Sequence, residues 1–203
     1  MKVEPAIDGW QQVPHLQGEH VSLDQLRPEH AEGLQRASSA GQLWELWYTS
    51  VPRPEDVAAY VDAALEAQGR GEALVFAVRS AAGEIVGTTR YYQLDRRVPR
   101  LAIGYTWYAT HVQRTGLNTQ AKLLLLEHAF ETLGCESVAF ETSWFNQRSR
   151  TAISRLGARQ DGVLRNHMRH RDGTLRDTVV FSIIAGEWPA VKRNLLAKLQ
   201  QYG

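Results

Sequence analysis

The sequence has few of the features that mark specialised protein classes. Among its 203 residues there is one cysteine, Cys135, so no disulfide can form within the chain and a reducing compartment is expected. No apolar run approaches the roughly 20 residues that span a bilayer, and the N-terminus lacks the basic-then-apolar layout of a signal peptide. We therefore expect a cytoplasmic protein with no membrane partner.

An excess of one charge sign is also missing. Lys and Arg number 23, Asp and Glu number 22, and the formal net charge is +1. Dedicated nucleic-acid-binding proteins carry a strong basic excess, so we expect no nucleic-acid partner. The 43% hydrophobic and 22% charged residues are typical of a globular protein long enough for a full core. We predict a single domain over 1–203, present as a monomer or homodimer, with 1–18 as an extended lead-in and 187–203 as a C-terminal helix.

Hydrophobic periodicity predicts a mixed α+β fold. Alternating apolar residues predict strands over 19–26, 74–79, 85–92, 101–108, 137–141, 158–168 and 175–184, and a further short strand near Val13. Helical spacing predicts helices over 28–38, 54–69, 118–133, 146–157 and 187–199. The expected architecture is a mixed central sheet of about six to seven strands flanked by helices.

The stretch from Gln113 to Thr119 connects a predicted strand to a predicted helix. Gly116 can adopt backbone angles that other residues resist, and Asn118 and Thr119 are good N-cap residues, so a helix is predicted to start there. A helix start offers free N–H groups and a positive dipole end, so a loop that brings Arg114 to it suits a diphosphate. The glycine patterns of a nucleotide P-loop and of a dinucleotide-binding loop are absent.

This loop resembles the coenzyme A loop of the GNAT (GCN5-related) N-acetyltransferases, whose pattern is Gln/Arg-x-x-Gly-x-Gly/Ala. Gln113, Arg114 and Gly116 fit the pattern, whereas Asn118 stands where Gly or Ala is usual. Asn-Thr at this point, after Gly-Tyr-x-Trp, is similar to the RimJ/RimL-type branch of that family. The element order is also that of the GNAT fold, and the resemblance covers roughly residues 20–185.

A second stretch, residues 146–157, resembles the same branch. The branch pattern Asn-x-x-Ser-x-x-Ala-Ile-x-x-Leu-Gly is matched at every fixed position. The resemblance implies that Asn146 bonds the pantetheine amides and that Ser149 protonates the departing thiolate. Taken alone, Asn146 could be only an N-cap and Ser149 only a first-turn hydroxyl.

Taken together, the two stretches imply an acetyl-CoA-dependent N-acetyltransferase. The reaction expected from the resemblance is direct attack of a primary amine on the thioester in a ternary complex. The implied cofactor-binding residues are Trp107, Tyr108, Gln113, Arg114, Thr115, Gly116, Leu117, Asn118, Thr119, Asn146, Ser149 and Arg150. A backbone N–H of the strand from Tyr105 to Tyr108 would face the developing oxyanion. Cys135 is not proposed as a nucleophile, because it directly follows the glycine that ends a helix.

The general base is where the sequence departs from the family. The branch commonly reads Glu-Ile-Gly-Tyr before the loop, and here Ala102 stands in the position of the Glu. The base must lie elsewhere, with Glu141, His111 and Tyr92 as candidates, or be a chain of waters. Each candidate could equally be structural. The missing carboxylate also keeps open a non-catalytic coenzyme A-binding module or regulatory relative, which would bind coenzyme A without releasing thiol.

Aromatic residues near the predicted strand ends suggest an acceptor pocket. Some of them must be core. In GNAT folds the connection that contains Trp47 and Tyr48 covers the acceptor site, and Arg90 and Tyr92 lie at the end of the adjacent strand. The resemblance therefore implies that these four residues contact the acceptor. An aromatic pocket with one Arg suits a small amphipathic amine or an amino-acid-like carboxylate better than a highly cationic substrate. The acceptor itself stays open among a protein N-terminus, an amino acid, a polyamine and an amine-bearing antibiotic.

The last predicted hairpin is basic, and its cationic residues are Arg165, His167, Arg169, His170, Arg171 and Arg176. We interpret it as a solvated surface, with an acidic partner or the 3′-phosphate of coenzyme A as alternatives. His167 and His170 are three residues apart in a strand and so point to opposite faces. No metal site is therefore expected.

Overall fold

The computed structural model describes residues 9–202, and in this part of the chain it contains eight strands and five α-helices. The strands are β1 Leu16–Gln17, β2 Val21–Gln25, β3 Ala73–Ser80, β4 Ile85–Asp95, β5 Arg100–Tyr108, β6 Ser137–Ser143, β7 Arg159–Arg169 and β8 Leu175–Ile184. The helices are α1 Ala31–Ser39, α2 Val57–Gly69, α3 Gly116–Glu127, α4 Gln147–Leu156 and α5 Trp188–Leu199. None of them is both long and apolar enough to cross a membrane.

The strands form one mixed sheet in the order β1-β2-β3-β4-β5-β6-β8-β7. Every neighbouring pair is antiparallel except β5 and β6, which are parallel. The predicted α+β class is confirmed, with slightly more strands than expected. The extra short strand is β1 at Leu16–Gln17 rather than a strand near Val13. The first eight residues of the predicted lead-in lie outside the described residues.

Helices cover both faces of the sheet, and β4 shows how its residues divide between them. The Tyr91 hydroxyl donates to the carbonyl oxygen of Leu125 in α3 at 2.6 Å. The guanidinium of the preceding residue, Arg90, lies 5.4 Å from the Tyr60 ring centroid in α2. Because successive strand residues point to opposite faces, α2 and α3 lie on opposite sides of the sheet.

An opening lies between β5 and β6. The two strands pair only over three residues, the last pair being Ala102 with Ala139. Further along, the β4–β5 register changes between Thr88–Trp107 and Arg90–Gly104, so β5 has one extra residue there. Tyr105 within this bulge has a positive φ of 53°. A bulge bends and twists its strand, and here it follows directly on the point where β5 parts from β6.

The bulge is tied to α3 by a buried lysine. Lys122 is 6% exposed, and its Nζ donates to Thr106 Oγ1 at 2.8 Å. Thr106 Oγ1 in turn lies 2.7 Å from Thr89 Oγ1 on β4. Within residues 9–202 no carboxylate pairs with Lys122, and burial lowers its pKa to about 7. Lys122 therefore links the helix that follows β5 to the bulge within β5.

We expect Lys122→Met to stabilise the protein at pH 6, on the order of 1–4 kcal/mol, because it removes a buried unpaired cation. Below pH 7 the lysine is charged in both the folded and the unfolded chain, so the burial penalty acts in full. Between pH 7 and its ordinary value of 10.5, the unfolded chain holds the proton that the folded chain has lost. Wild-type stability therefore rises with pH, and the advantage of the variant shrinks.

Urea unfolding of both proteins from pH 6 to pH 10 measures this difference. A stability difference that does not change with pH would show that Lys122 keeps its proton in the folded protein throughout this range.

Candidate active site

Two helices begin at the carboxyl ends of the parallel strands. α3 follows β5 after a short loop, and α4 follows β6 after residues 144–146. The opening between β5 and β6 therefore has two helix N-termini beside it. Ligands of α/β sheets bind in crevices outside the carboxyl ends of the strands, and helix N-termini attract anions. This end of the sheet is the candidate site.

The loop before α3 starts its helix earlier than predicted. Thr115 is the N-cap: its Oγ1 accepts from the Leu117 N–H at 3.3 Å and donates to the Val112 carbonyl at 2.7 Å. Asn118 and Thr119 lie in the first turn of α3, so the prediction that the helix starts at them was wrong. A hydroxyl two residues before Leu117 forms the cap instead.

The left-handed residue of this loop is Arg114, with φ of 65°, and not Gly116. Gln113 holds the loop to the strand end, because its Nε2 donates to the Tyr108 carbonyl at 3.0 Å. Among the described residues, the backbone N–H groups of Arg114, Thr115 and Gly116 have no acceptor. These three N–H groups at a helix start form a cradle that fits an anion, a diphosphate included.

Gly116 packs closely against His20. An added Cβ would lie 2.9 Å from His20 Cδ2, so a side chain there must displace the imidazole. The position of His20 is set by its backbone N–H, which donates to Gln120 Oε1 in α3. The sequence contained no signal for this contact, because His20 precedes the helix by about a hundred residues.

On the other side of the opening, Asn146 caps α4. Its Oδ1 accepts from the Ser149 N–H at 3.0 Å, as an N-cap does. Within the described residues, the Asn146 amide nitrogen and the Ser149 hydroxyl have no partner, so both are free for a ligand. Arg150 lies over Trp144, with its guanidinium carbon 4.3 Å from the ring centroid. It also lines an open groove of about 470 Å³ along α4.

The end of β5 contributes main-chain groups to the opening. The Ala109 N–H donates to the Val86 carbonyl on β4, and N–H directions alternate along a strand. The N–H group of Tyr108 therefore points away from β4, towards the opening. The side chains of Trp107 and Tyr108 are 5% and 8% exposed, so both are buried, and as neighbours in a strand they point to opposite faces of the sheet.

Glu141 lies in a polar cluster on the α2 face. Its Oε1 accepts from Gln93 Nε2 at 3.2 Å. Burial, with the nearby Glu141 carboxylate, raises the pKa of Tyr92 well above its usual value, so Tyr92 is not suited to act as a base. Ala102 pairs with Tyr92 and with Ala139, two residues before Glu141, so these side chains share one face of the sheet.

The third candidate base lies apart from this cluster. His111 follows β5 in a short 3-10 helix, is half exposed, and lies 3.4 Å from Glu84 in the β3–β4 turn. The structure therefore brings Glu141 and Tyr92 together, and leaves His111 in a surface ion pair.

Aromatic rings surround the same cluster. Tyr105 of the bulge lies 5.4 Å from the Tyr92 ring and 4.0 Å from the Arg90 guanidinium. Further out, Trp47 is 43% exposed and lies 4.7 Å from the His170 ring. The Trp47 ring is also 5.6 Å from Tyr48 and 5.2 Å from Phe145. All four predicted acceptor residues thus lie on this side, joined by Tyr60, Tyr105 and Phe145, which the sequence analysis missed.

The basic hairpin β7–β8 is only partly a solvated surface. Arg165 pairs with Asp177 at 2.6 Å, and Arg171 donates to the Val51 carbonyl at 2.6 Å. His170 is buried against Trp47, and Arg176 is half-buried beside Glu141. The interpretation as one solvated surface was therefore wrong for His170 and Arg176, which face the pocket.

Metal binding and thiol attack are two other chemistries that depend on particular side chains. Within residues 9–202, no three or more His, Cys, Asp or Glu side chains are placed to hold a metal ion. Cys135 is 2% exposed, and burial raises the pKa of its thiol to about 12. A thiol in that state is a poor nucleophile at neutral pH.

Comparison with known proteins bears on this geometry. Residues 20–159 match the family described as "Acetyltransferase (GNAT) domain". The Bacillus subtilis protein YdaF, provisionally named a ribosomal N-acetyltransferase, is 26% identical over 182 residues, covering 86% of this chain and 96% of its own.

Solved structures are similar over most of the chain. A GCN5-related N-acetyltransferase from Brucella melitensis has a TM-score of 0.83 and 28% identity, covering 93% of this chain and 86% of its own. Mycobacterium smegmatis RimJ, solved in complex with CoA-disulfide, has a TM-score of 0.76 and 22% identity, covering 94% and 96%.

We expect Gly116→Val to weaken coenzyme A binding on the order of tenfold or more, because overpacking at the helix start displaces His20 and the N–H cradle. The double variant Gly116→Val/His20→Ala should recover part of the affinity, since the added side chain points at His20. Calorimetric titration with coenzyme A measures both, with His20→Ala as the matched control. Unchanged affinity in Gly116→Val would show that the loop is not part of the coenzyme A-binding site.

Proposed function

The chain belongs to the GNAT acetyltransferase family, and on that premise we propose that it transfers the acetyl group of acetyl-CoA to a primary amine by direct attack in a ternary complex. The observation that carries the proposal is the opening between β5 and β6. Three backbone N–H groups without acceptors in the described chain and the α4 N-cap lie beside it, and a carboxylate with several aromatic rings lies on the α2 face.

The residues beside the opening fit acetyl-CoA. The N–H groups of Arg114, Thr115 and Gly116 would hold the diphosphate, with the Arg114 guanidinium nearby. Past Ala102 and Ala139, the facing edges of β5 and β6 have no ladder partner in the described chain, so they can pair with the pantetheine amides. The Asn146 amide nitrogen is a further donor for the same group. When bound, acetyl-CoA supplies an activated acetyl thioester.

Three groups of this chain serve the transfer. Glu141 takes the proton that the amine loses as its nitrogen bonds to the acetyl carbon, either directly or through water. The backbone N–H of Tyr108 donates to the carbonyl oxygen as negative charge develops on it. Ser149 donates its proton to the sulfur as the carbon–sulfur bond breaks, and it regains a proton from solvent.

Glu141 thus takes over the role of the carboxylate that is missing at position 102. The ladder register supports this assignment, because Glu141 lies two residues beyond Ala139, the parallel partner of Ala102. Residues two apart on a strand face the same side, so a carboxylate on β6 reaches the pocket that one on β5 would reach.

The name of the Bacillus subtilis relative makes a ribosomal protein N-terminus one candidate acceptor. A direct test of the function is an assay for free thiol with acetyl-CoA and a panel of amines, including peptides, amino acids and polyamines. Release that depends on the amine supports catalysis. Coenzyme A binding without release under any amine would support the non-catalytic alternative instead.

We expect Ser149→Ala to lower kcat on the order of 10–1,000-fold with little change in coenzyme A affinity, because a general acid acts in the transition state and water can partly replace it. Ser154→Ala on the same helix is the matched control and should leave the rate near wild type. Full turnover in Ser149→Ala would show that Ser149 is only a hydroxyl in the first turn of α4, with no role in catalysis.

We expect the pH profile of kcat/KM to identify Glu141 as the base. In wild type the rate should rise with pH and then level off at a pH that does not depend on the acceptor. In Glu141→Gln the rate should fall by about 100-fold or more and then follow the amine pKa of the acceptor. His111→Gln is the control and should keep the wild-type profile.

Two acceptors with different amine pKa values separate these cases. If the inflection in the wild-type pH profile moves with the acceptor, no protein base acts. If the inflection disappears only in His111→Gln, His111 is the general base.

A further inference from the structure

Arg90 is a buried cation without an anionic partner. Its side chain lies on β4 between the Tyr105 ring, at 4.0 Å, and the Tyr60 ring, at 5.4 Å. The residue is 7% exposed, and its Nε is sealed from solvent with no acceptor. Among residues 9–202 its guanidinium has neither a hydrogen bond nor an ion pair. The rings offset only part of the cost of burying this charge.

Arg176 is a second cation at the same pocket. It lies on β8, is half-buried, and its Nε is also sealed without an acceptor. Burial lowers the pKa of Arg176, and the neighbouring Glu141, Tyr92 and Tyr105 act in the opposite direction. Within the described chain, no carboxylate lies close enough to form an ion pair with it. Val180 pairs with Glu141, and Arg176 lies four residues before Val180 on β8, so Arg176 lies on the same face of the sheet as Glu141 and Arg90.

The charges of the pocket therefore do not balance. Two guanidinium groups face one carboxylate, Glu141, which already accepts from Gln93. An acceptor with additional ammonium groups would add positive charge to this site. An acceptor with a carboxylate would supply the missing anion, and the planar guanidinium binds a carboxylate through two parallel hydrogen bonds.

We propose that the acceptor is an amine that carries a carboxylate, of the amino-acid type, with Arg90 and Arg176 as its carboxylate-binding residues. This inference rests on the function proposed above. The amine lies towards Glu141 and the opening in the sheet, and an apolar side chain lies against Tyr105 and Trp47. The two arginines then determine specificity, because they favour a free carboxylate over the amide carbonyl of a protein N-terminus.

Matched acceptors test the carboxylate directly. Phenylalanine, phenylalaninamide and phenethylamine share the ring and the amine and differ only in the group beside it. We expect kcat/KM for thiol release to favour phenylalanine by about 10- to 100-fold. The amide has the less basic amine, so more of it is neutral and reactive, and a preference for the acid cannot come from amine ionisation. A peptide with N-terminal phenylalanine should rank with the amide.

Arginine variants assign the preference to residues. Arg90→Met and Arg176→Met should each reduce the acid-to-amide ratio by about tenfold or more, and Arg90→Lys should restore part of it. Arg193→Met, an exposed cation on α5, is the matched control and should leave the ratio unchanged. If Arg90→Met does not fold, Arg176→Met decides the same question.

Ligand binding separates this inference from the proposed function. N-acetylphenylalanine should raise the Tm of wild type more than its amide does, and the difference should vanish in Arg176→Met. That result supports the carboxylate site even if no amine causes release of thiol. Absence of thiol release would contradict the proposed function but not the carboxylate site. The inference is overturned if wild type prefers the amide, the peptide or phenethylamine, or if neither arginine variant changes the ratio.

Discussion

The structure depends on how briefly two parallel strands remain paired. β5 and β6 share three residue pairs, and a one-residue bulge at Tyr105 then carries β5 away from its partner. A parallel pair needs a crossover helix, and here that helix is α3, whose start lies beside the resulting opening. The same separation frees backbone edges and exposes N–H groups of β5. Cofactor and acceptor can therefore approach one point from opposite faces of the sheet.

Two buried cations lie near this opening, and the protein accommodates their charges in different ways. Lys122 rests on the hydroxyl of Thr106, and burial lowers its pKa to about 7, so it can lose its charge. Arg90 has no such option, because a guanidinium stays protonated in proteins, and only aromatic rings surround it. The first arrangement holds the bulge in place. The second leaves a buried cation unpaired in the free protein, and the proposed carboxylate of the acceptor would pair with it.

Local signals in the sequence located the elements well and the site in part. The α4 helix runs as its Asn146 cap and the left-handed Gly157 predict, because both ends are determined by neighbouring residues. The start of α3 was misplaced, since several cap residues stand close together, and Thr115 forms the cap through its bonds to Leu117 and Val112. Glu141 was one candidate among three, and Arg176 was assigned to a surface. Their proximity depends on strand register, which no local pattern reports.

The alternation along β4 limits how this protein can change in evolution. Arg90 faces α2 and Tyr91 faces α3, so inserting or deleting one residue in the strand would exchange the two side chains between the faces of the sheet. Such a change would place the Arg90 guanidinium in the core between the sheet and α3, and its positive charge would be lost from the α2 face. Length variation among descendants should therefore concentrate at the Ser80–Ile85 turn or at the bulge near Gln93, where the register already shifts.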